Sequence, residues 1–321
     1  MEAIPKTMRA AAIDRFGPPE VLTIHELPVP TVETDEVLIA LHTAGVGSWD
    51  ADIRDGWYPE GEPRFPLVLG TDGSGTVAAV GSRVRRFKPG DRVYSYSWNN
   101  PKGGFYAEYV AVVAKRVGRV PERLDLTHAG AVPTTGLTAL QGIVDTLRVR
   151  KGETVVVHGA SGGVGTLAVQ FARWRGARVF ATASGDDGVA LVRRLGADEA
   201  VDGRRQDVVA AARRFAPDGV DALFALAGGD SLERGLDVLR PGGRCAYPNG
   251  VEPEPDRRPG IEIMSFDAVA GVREFERLGR AVEGAGLQVP IGAAYPLEQA
   301  AKAHEWLAEG HVLRKIVLRI R

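Results

Sequence analysis

The sequence predicts an α/β protein in two parts, a β-rich, barrel-like region and a doubly wound parallel sheet. Three observations carry that reading. Residues 1–120 alternate short strand patterns with Gly/Pro turns. From Thr154 to Phe266, β-branched and apolar runs alternate with helix-period segments. At the start of this alternation, the run Val155-Val156-Val157-His158-Gly159-Ala160-Ser161-Gly162-Gly163-Val164-Gly165 leads from a strand into a glycine-rich turn, and an apolar-periodic helix, Thr166 to Trp174, follows.

Taken in order, the early strands are expected at Arg9 to Ile13, Glu36 to Thr43, Gly73 to Val80, Arg92 to Tyr96 and Ala107 to Val113. Pro121 to Leu126 reads as a polar connection and Ala129 to Leu147 as helical. Strands then follow at Thr154 to His158, Arg178 to Ala183, Glu199 to Val201, Val220 to Ala225, Arg244 to Tyr247 and Ile261 to Phe266. The helices between them span Gly163 to Trp174, Asp187 to Leu195, Asp207 to Phe215 and Ser231 to Leu239, the last stopped by Pro241-Gly242-Gly243. Right-handed crossovers wind such units into one parallel sheet. Helices at Gly271 to Glu283 and Leu297 to Glu309 and a strand at Arg314 to Ile320 close the chain.

A chain of 321 residues has room for two cores. Apolar residues make up 44% and charged residues 25%, an ordinary globular composition. With 40 basic against 41 acidic side chains, nothing favours nucleic acid or an anionic membrane surface. Clusters such as Arg83-Val84-Arg85-Arg86 and Arg257-Arg258 read as solvated loops. Glu2, Lys6, Arg9 and Asp14 interrupt the N-terminus, so it has no secretory h-region, and no apolar run is long enough to span a bilayer. The expectation is a cytoplasmic protein. Cys245 is the only cysteine, which excludes intramolecular disulfides and multi-cysteine metal clusters and reads as a buried, inert thiol. The six histidines show no ligand spacing: His304 and His311 are seven apart, but Gly310 is expected to end their helix first. No metal is expected.

The glycine turn reads A-x-G-x-x-G, with Ala160, Gly162 and Gly165 in the three special positions. Its glycines let the backbone bend tightly and approach a pyrophosphate, and the positive end of the following helix faces the anion. Ala160, Ser161, Gly162, Gly163, Val164 and Gly165 are therefore candidate cofactor contacts, with Asn249 as a further one. Proteins that prefer NAD end the next strand in a carboxylate for the ribose hydroxyls. Here Ala183 holds that position and Ser184 follows, which makes room for a 2′-phosphate and offers a donor. NADP(H) is favoured over NAD(H), although Asp186 and Asp187 lie close by; Arg204 and Arg205 are basic candidates for the phosphate or solvated residues.

Several further segments occur in a characteristic order: Phe65-Pro66-Leu67-Val68-Leu69-Gly70-Thr71-Asp72-Gly73-Ser74-Gly75-Thr76-Val77, Gly90-Asp91-Arg92-Val93-Tyr94, Gly104-Phe105-Tyr106-Ala107-Glu108-Tyr109 and Thr135-Gly136-Leu137-Thr138-Ala139. With the cofactor turn, they make the whole chain resemble the medium-chain dehydrogenase/reductase superfamily, in its zinc-independent quinone oxidoreductase branch. The resemblance implies a GroES-like β-barrel catalytic domain from residues 1–127 and 268–321, a Rossmann domain from 128–267, an active site in the cleft between them, and a homodimer. Zinc-dependent members place a cysteine where this chain has Gly47 and a His-Glu pair where it has Thr71-Asp72, and a catalytic zinc needs about three convergent ligands.

The resemblance also directs attention to the segment from Gly47 to Pro59. The branch carries an asparagine where this chain has Gly47 and a tyrosine where it has Asp52, while its second tyrosine is retained as Tyr58. Tyr58 and Asp52 are the catalytic candidates. Tyr58 reads as a substrate-orienting hydroxyl or a cleft wall; Asp52 reads as a proton donor if desolvated or as a solvated loop carboxylate. Asp50 reads as a loop-holding residue, Ser48 and Trp49 as pocket lining, and Tyr94, Tyr96 and Trp98 as a stacking cluster, with core packing an equal account of Tyr94. Thr135 matches a position near the nicotinamide, and equally reads as a helix N-cap.

Without a metal, hydride addition to an isolated carbonyl leaves charge on one oxygen, whereas addition to a quinone or an enone spreads it through conjugation, where hydrogen-bond donors suffice. The expected reaction is hydride transfer from NADPH to such a conjugated small-molecule acceptor, including enoyl thioesters. Two alternatives stay open: a non-catalytic NADPH-binding scaffold or regulatory protein, and a zinc-free alcohol dehydrogenase.

Overall fold

The computed structural model describes residues 3–58, 61–310 and 313–321, so Pro59 and His311 lie outside the described residues. The chain forms two compact units, one of Met1–Thr134, Ala270–Glu283 and Ile291–Arg321, the other of Thr135–Val269 and Gly284–Pro290.

The second unit is a Rossmann sheet. Six strands lie in the order Glu199–Asp202, Arg178–Ala183, Thr154–His158, Val220–Ala225, Leu239–Pro248, Glu262–Phe266. Every pair is parallel. The central strand Thr154–His158 is buried along its whole length, as a strand covered on both faces must be. Its neighbours on either side come from later in the chain, so the strand order reverses direction at this strand. Helices Gly163–Trp174, Gly185–Arg194, Val208–Phe215 and Asp230–Leu236 connect the strands. Residues Gly284–Pro290 are tied to this unit by Gln170, whose amide donates to Gln288 O at 2.9 Å while its oxygen accepts from Gln288 N at 2.8 Å.

One expectation about this unit fails. Pro241-Gly242-Gly243 does not stop a helix running to Leu239; that helix ends at Leu236, and a strand runs from Leu239 to Pro248 through the Pro-Gly-Gly. Leu239 pairs with Val220 and Arg244 with Ala222, so the residues between them bulge from the ladder, where a proline needs no amide bond and Gly242 takes φ +78°.

The first unit holds a seven-stranded and a three-stranded sheet. The long strand Glu36–Val46 organises the larger one: it pairs with Asp72–Val80, Tyr109–Val113 and the C-terminal strand Lys315–Arg319, all antiparallel. Arg92–Tyr96 and Val117–Arg119 extend the sheet on one side and Ile291–Pro296 on the other. Thr7–Ile13 pairs with Thr23–Pro28 and Leu67–Val68 to form the smaller sheet. The core of this unit includes Ile39, Leu41, Phe105, Tyr106, Ile316 and Leu318. A helix at Ser48–Asp55 stands where the sequence reading places a loop, so Asp50 and Asp52 are helical residues.

Candidate active site

In the Rossmann unit the strand Thr154–His158 ends in Gly159, at φ +79°, and the helix Gly163–Trp174 begins after Gly162 with no side chain capping it. The first amide to bond back into the helix is Thr166 N–H, to Gly162 O at 3.0 Å. The amides of Gly163, Val164 and Gly165 precede it and have no helical carbonyl behind them, which makes this end an anion site. The two later glycines serve different purposes. A Cβ on Gly165 would stand 2.5 Å from Gly159 O and 2.6 Å from Ala160 Cα, so only glycine lets the helix approach the turn. A Cβ on Gly162 would meet nothing nearer than Gly159 O at 3.8 Å, so the space beside Gly162 is open to a ligand. Ala160 is buried, its amide bound to Thr182 O at 2.8 Å, and the Ser161 hydroxyl accepts from Ser184 N at 3.4 Å. The structure thus joins the turn to the end of the next strand.

That next strand ends at Ala183, which pairs in register with Asp202 of the third strand. Ser184 is the N-cap residue of the helix Gly185–Arg194. Arg205 lies beside this strand end, its guanidinium 3.4 Å from Asp202 and 3.7 Å from Asp186. Asn249 follows the strand Leu239–Pro248 at the same C-terminal edge and donates to Asp267 at 2.8 Å. His158 escaped the sequence reading. Its Nδ1 lies 3.0 Å from the Thr182 hydroxyl and its Nε2 3.2 Å from that of Ser231, and burial pushes it down to about 4, so the ring is neutral. Thr135 is buried within the helix Pro133–Leu140, inside the first turn rather than at the N-cap.

Cys245 is buried in its strand, and burial pushes its thiol up to about 12.

In the first unit, the helix Ser48–Asp55 places Asp50 in its first turn, where one carboxylate oxygen, Oδ2, accepts Gly47 N–H at 2.9 Å and the Tyr106 hydroxyl at 3.1 Å. Tyr106 Oη lies 3.2 Å from His304 Nε2, and His304 Nδ1 lies 3.0 Å from Arg54. Direction follows from chemistry. Arg54 can only donate, so His304 Nδ1 accepts, the neutral ring carries its proton on Nε2 and donates to Tyr106, and Tyr106 donates to Asp50. Burial, with Arg54 adding to it, pushes His304 down to about 3, in keeping with that tautomer. Burial also raises the Asp50 carboxyl to about 7 against the pull of Lys315. Its other oxygen, Oδ1, is buried without a hydrogen-bond partner.

Lys315 stands beside Gly47. A Cβ on Gly47 would lie 3.6 Å from Lys315 Nζ and 3.9 Å from Asp50 Oδ2, and a Cβ on Gly45 would collide with Asp72 Oδ1 and crowd Lys315 Cε. The buried Lys315 side chain thus stands near the Asp50 and Asp72 carboxyl groups. Gly47 has no ligand atom, Thr71 replaces a histidine, and among the described residues no group of three or more His, Cys, Asp or Glu side chains converges on a metal position. The donor set does not fit a catalytic zinc.

Tyr58 donates its hydroxyl proton to Asn99 Oδ1 at 3.1 Å. Asp52 is exposed on the helix, with partial burial raising its carboxyl. Ser48 is exposed as well. Tyr94 is no stacking surface: it is fully buried, its ring 5.1 Å from Phe275. Trp98 instead meets Trp49 and Trp57, an association invisible in the sequence because residues 49 and 98 lie on different elements.

A mixed two-sheet unit and a Rossmann sheet with this turn define a medium-chain dehydrogenase/reductase. Residues 33–122 match the alcohol dehydrogenase GroES-like domain and residues 163–259 the zinc-binding dehydrogenase family. The chain is 33% identical to quinone oxidoreductase of Mus musculus over 319 residues, 95% of each chain. It is 30% identical to the NADPH-dependent alkenal/one oxidoreductase, chloroplastic, of Arabidopsis thaliana, over 98% of this chain and 80% of that one. Among solved structures, an NAD-dependent alcohol dehydrogenase superposes with a TM-score of 0.91 at 33% identity, covering 98% of this chain and 100% of that one. A mycobacterial protein complexed with NADPH gives 0.87 at 28% identity, again covering 98% and 100%. The chain belongs to the quinone oxidoreductase branch of the superfamily.

Proposed function

We propose that the protein is an NADPH-dependent oxidoreductase that reduces quinones or α,β-unsaturated carbonyls without a catalytic metal. The observation that carries this reading is a donor set around Gly47, Thr71 and Lys315 that does not fit a catalytic zinc, in a chain that keeps an open, uncapped dinucleotide turn. The names of two relatives, a quinone oxidoreductase and an NADPH-dependent alkenal/one oxidoreductase, support it.

The amides of Gly163, Val164 and Gly165 hold the pyrophosphate, and Gly162 lets it approach. Ala183 in place of a carboxylate removes the repulsion against a 2′-phosphate, Ser184 offers a hydroxyl, and Arg205 supplies a cation at the same strand end. Ala160 and Ser161 shape the turn, while Thr135 and Asn249 are the remaining cofactor-side residues. When bound, NADPH supplies a hydride. The Tyr58 hydroxyl, which rests on Asn99, turns to donate its proton to the acceptor's carbonyl oxygen, and Asp52, exposed with a raised carboxyl, exchanges the product proton with solvent. Conjugation in the acceptor spreads the negative charge, so these groups are not asked for the several kcal/mol a Lewis acid contributes. Strand Glu262–Phe266 ends the Rossmann sheet, and its unpaired edge suits a homodimer of a cytoplasmic enzyme.

NADPH oxidation followed at 340 nm against a panel of quinones and enones tests the reading. Turnover on at least one class is expected. Tight NADPH binding with no turnover on any acceptor would make the protein a scaffold, and NADP⁺ reduction by simple alcohols alone would make it a metal-free alcohol dehydrogenase.

A further inference from the structure

Both ring nitrogens of His158 are bonded, each toward a different neighbour of its strand. The residue ends the central strand Thr154–His158 and is only 6% exposed. Its Nδ1 lies 3.0 Å from the hydroxyl of Thr182, in the strand Arg178–Ala183. Its Nε2 lies 3.2 Å from the hydroxyl of Ser231, in the helix that follows strand Val220–Ala225. The ring therefore bridges the two sides of the point where the strand order reverses, and an open α/β sheet takes its ligands outside the carboxyl ends of the strands at that point. An apolar side chain, like Val155, Val156 and Val157 before it, would avoid the cost of desolvating an imidazole.

Proton directions follow from the neighbours. Thr182 is 2% exposed; its hydroxyl oxygen accepts Gly159 N–H at 3.1 Å and its carbonyl accepts Ala160 N–H at 2.8 Å, so it holds the start of the glycine turn. Among the described residues the Thr182 hydroxyl proton has no acceptor other than His158 Nδ1, and a buried hydroxyl uses the acceptor it has. The neutral ring therefore accepts at Nδ1, carries its proton on Nε2 and donates to Ser231 Oγ. Ser231 is half-buried, and among the described residues its Oγ has no second partner, so its own proton is left to donate at the carboxyl edge of the sheet. One relay thus runs from the Gly159 amide through Thr182 and His158 and ends on a free hydroxyl donor.

We propose that His158 is a positioning residue that aims the Ser231 hydroxyl at the ribose of the nicotinamide half of the cofactor. This deepens the function proposed above and rests on its cofactor site. The side of the sheet selects that half. Ser184 and Arg205, assigned above to the 2′-phosphate, stand on the Arg178–Ala183 side of the central strand, and the pyrophosphate turn follows the central strand itself. The second mononucleotide half then falls on the Val220–Ala225 side, where Ser231 lies. A ribose presents uncharged hydroxyl oxygens, which a neutral hydroxyl donor matches without burying a charge.

The test measures Kd by titration calorimetry for NADPH and for 2′,5′-ADP, which carries the adenosine half alone, with wild type, Ser231→Ala, Ser231→Thr and His158→Asn. Loss of one neutral hydrogen bond sets the expectation that S231A weakens NADPH about fivefold, leaves 2′,5′-ADP within about 1.5-fold and keeps the thermal melt, while S231T recovers most of the loss. Asparagine keeps an acceptor for Thr182 but does not reach Ser231, so H158N should also lose NADPH affinity, and the double variant H158N/S231A should lose no more than the weaker-binding of the two single variants. Unchanged NADPH affinity in S231A, an equal loss on 2′,5′-ADP, or losses that multiply in the double variant would overturn the proposal. Nitrogen-15 NMR of the histidine side chains reads the relay directly: the His158 signals, identified by their absence from H158N, should report a proton on Nε2 at neutral pH. A proton on Nδ1 would reverse the relay and overturn the proposal. None of these readouts involves an acceptor, so a protein that turns over no quinone or enone loses the reductase reading and keeps this one, whereas a wild type that binds no NADPH loses both.

Discussion

Replacing Gly162 with alanine separates cofactor binding from folding. Gly162 has φ −79° and ψ 178°, a conformation open to any residue, and a Cβ there would make only an ordinary contact, 3.8 Å from Gly159 O. The cost to the fold is the difference between glycine and alanine at a helix N-cap, under about 1 kcal/mol. A bound pyrophosphate lying against this backbone would be pushed back by the methyl group and would lose at least one charge-assisted hydrogen bond. Such a bond is worth about 1.5–3 kcal/mol, which is about 10- to 150-fold in Kd. Gly165→Ala is the contrasting variant. Its Cβ would stand 2.5–2.7 Å from three backbone atoms of Gly159 and Ala160, so the helix must shift away from the turn at an overpacking cost of about 1–3 kcal/mol. Titration calorimetry with NADPH and thermal melts without it measure the two effects. The expected pattern is a large loss of affinity with an unchanged melt for G162A, and a lowered melt for G165A. An unchanged NADPH Kd in G162A would show that the pyrophosphate does not lie on this turn.

Two more predictions concern charge. Arg205→Ala should weaken NADPH binding several-fold while leaving NADH binding within about twofold, and Ala183→Asp should reverse the preference; Kd values for both cofactors check this, and equal effects of R205A on both would remove Arg205 from the phosphate site. Asp50 in the fold titrates at about 7 against an ordinary 3.8, so the folded state holds its proton more tightly and stability falls as pH rises across that window. Asp50→Asn removes this contribution, and urea titrations at pH 4.5 and 7.5 should show that the variant loses less stability over the interval than wild type does. The neutral His158 and His304 pull the other way in both proteins and cancel in the comparison. An identical pH dependence in the variant would mean that Asp50 is ionised throughout.

The parts of the fold legible in the sequence are those with a local period. Thr154–His158, Arg178–Ala183, Val220–Ala225 and the helix Gly163–Trp174 lie where their β-branched runs and apolar spacing put them. The helix Ser48–Asp55 was hidden because two of the three side chains it buries, Asp50 and Arg54, are charged, so its inward face carries no apolar stripe. The strand through Pro241-Gly242-Gly243 was hidden because the stop signal there is a bulge signal. In the candidate site, the turn and the vacated zinc positions were readable as residue identities. The chain from Arg54 through His304 and Tyr106 to Asp50 was not, because its members are 250, 198 and 56 residues apart and meet only through the fold. The indole cluster and the placement of Lys315 beside Gly47 were out of reach for the same reason.

The central claim is metal-free hydride transfer to a conjugated acceptor. It is tested most directly with protein dialysed against a chelator and shown to be free of zinc, given 4-deuterated NADPH and an enone that the undialysed protein turns over, with the product read by mass spectrometry and NMR. The account predicts undiminished turnover and deuterium on the β-carbon of a saturated ketone. Deuterium on the carbinol carbon of an allylic alcohol, or activity that is lost on dialysis and restored by zinc, would contradict it.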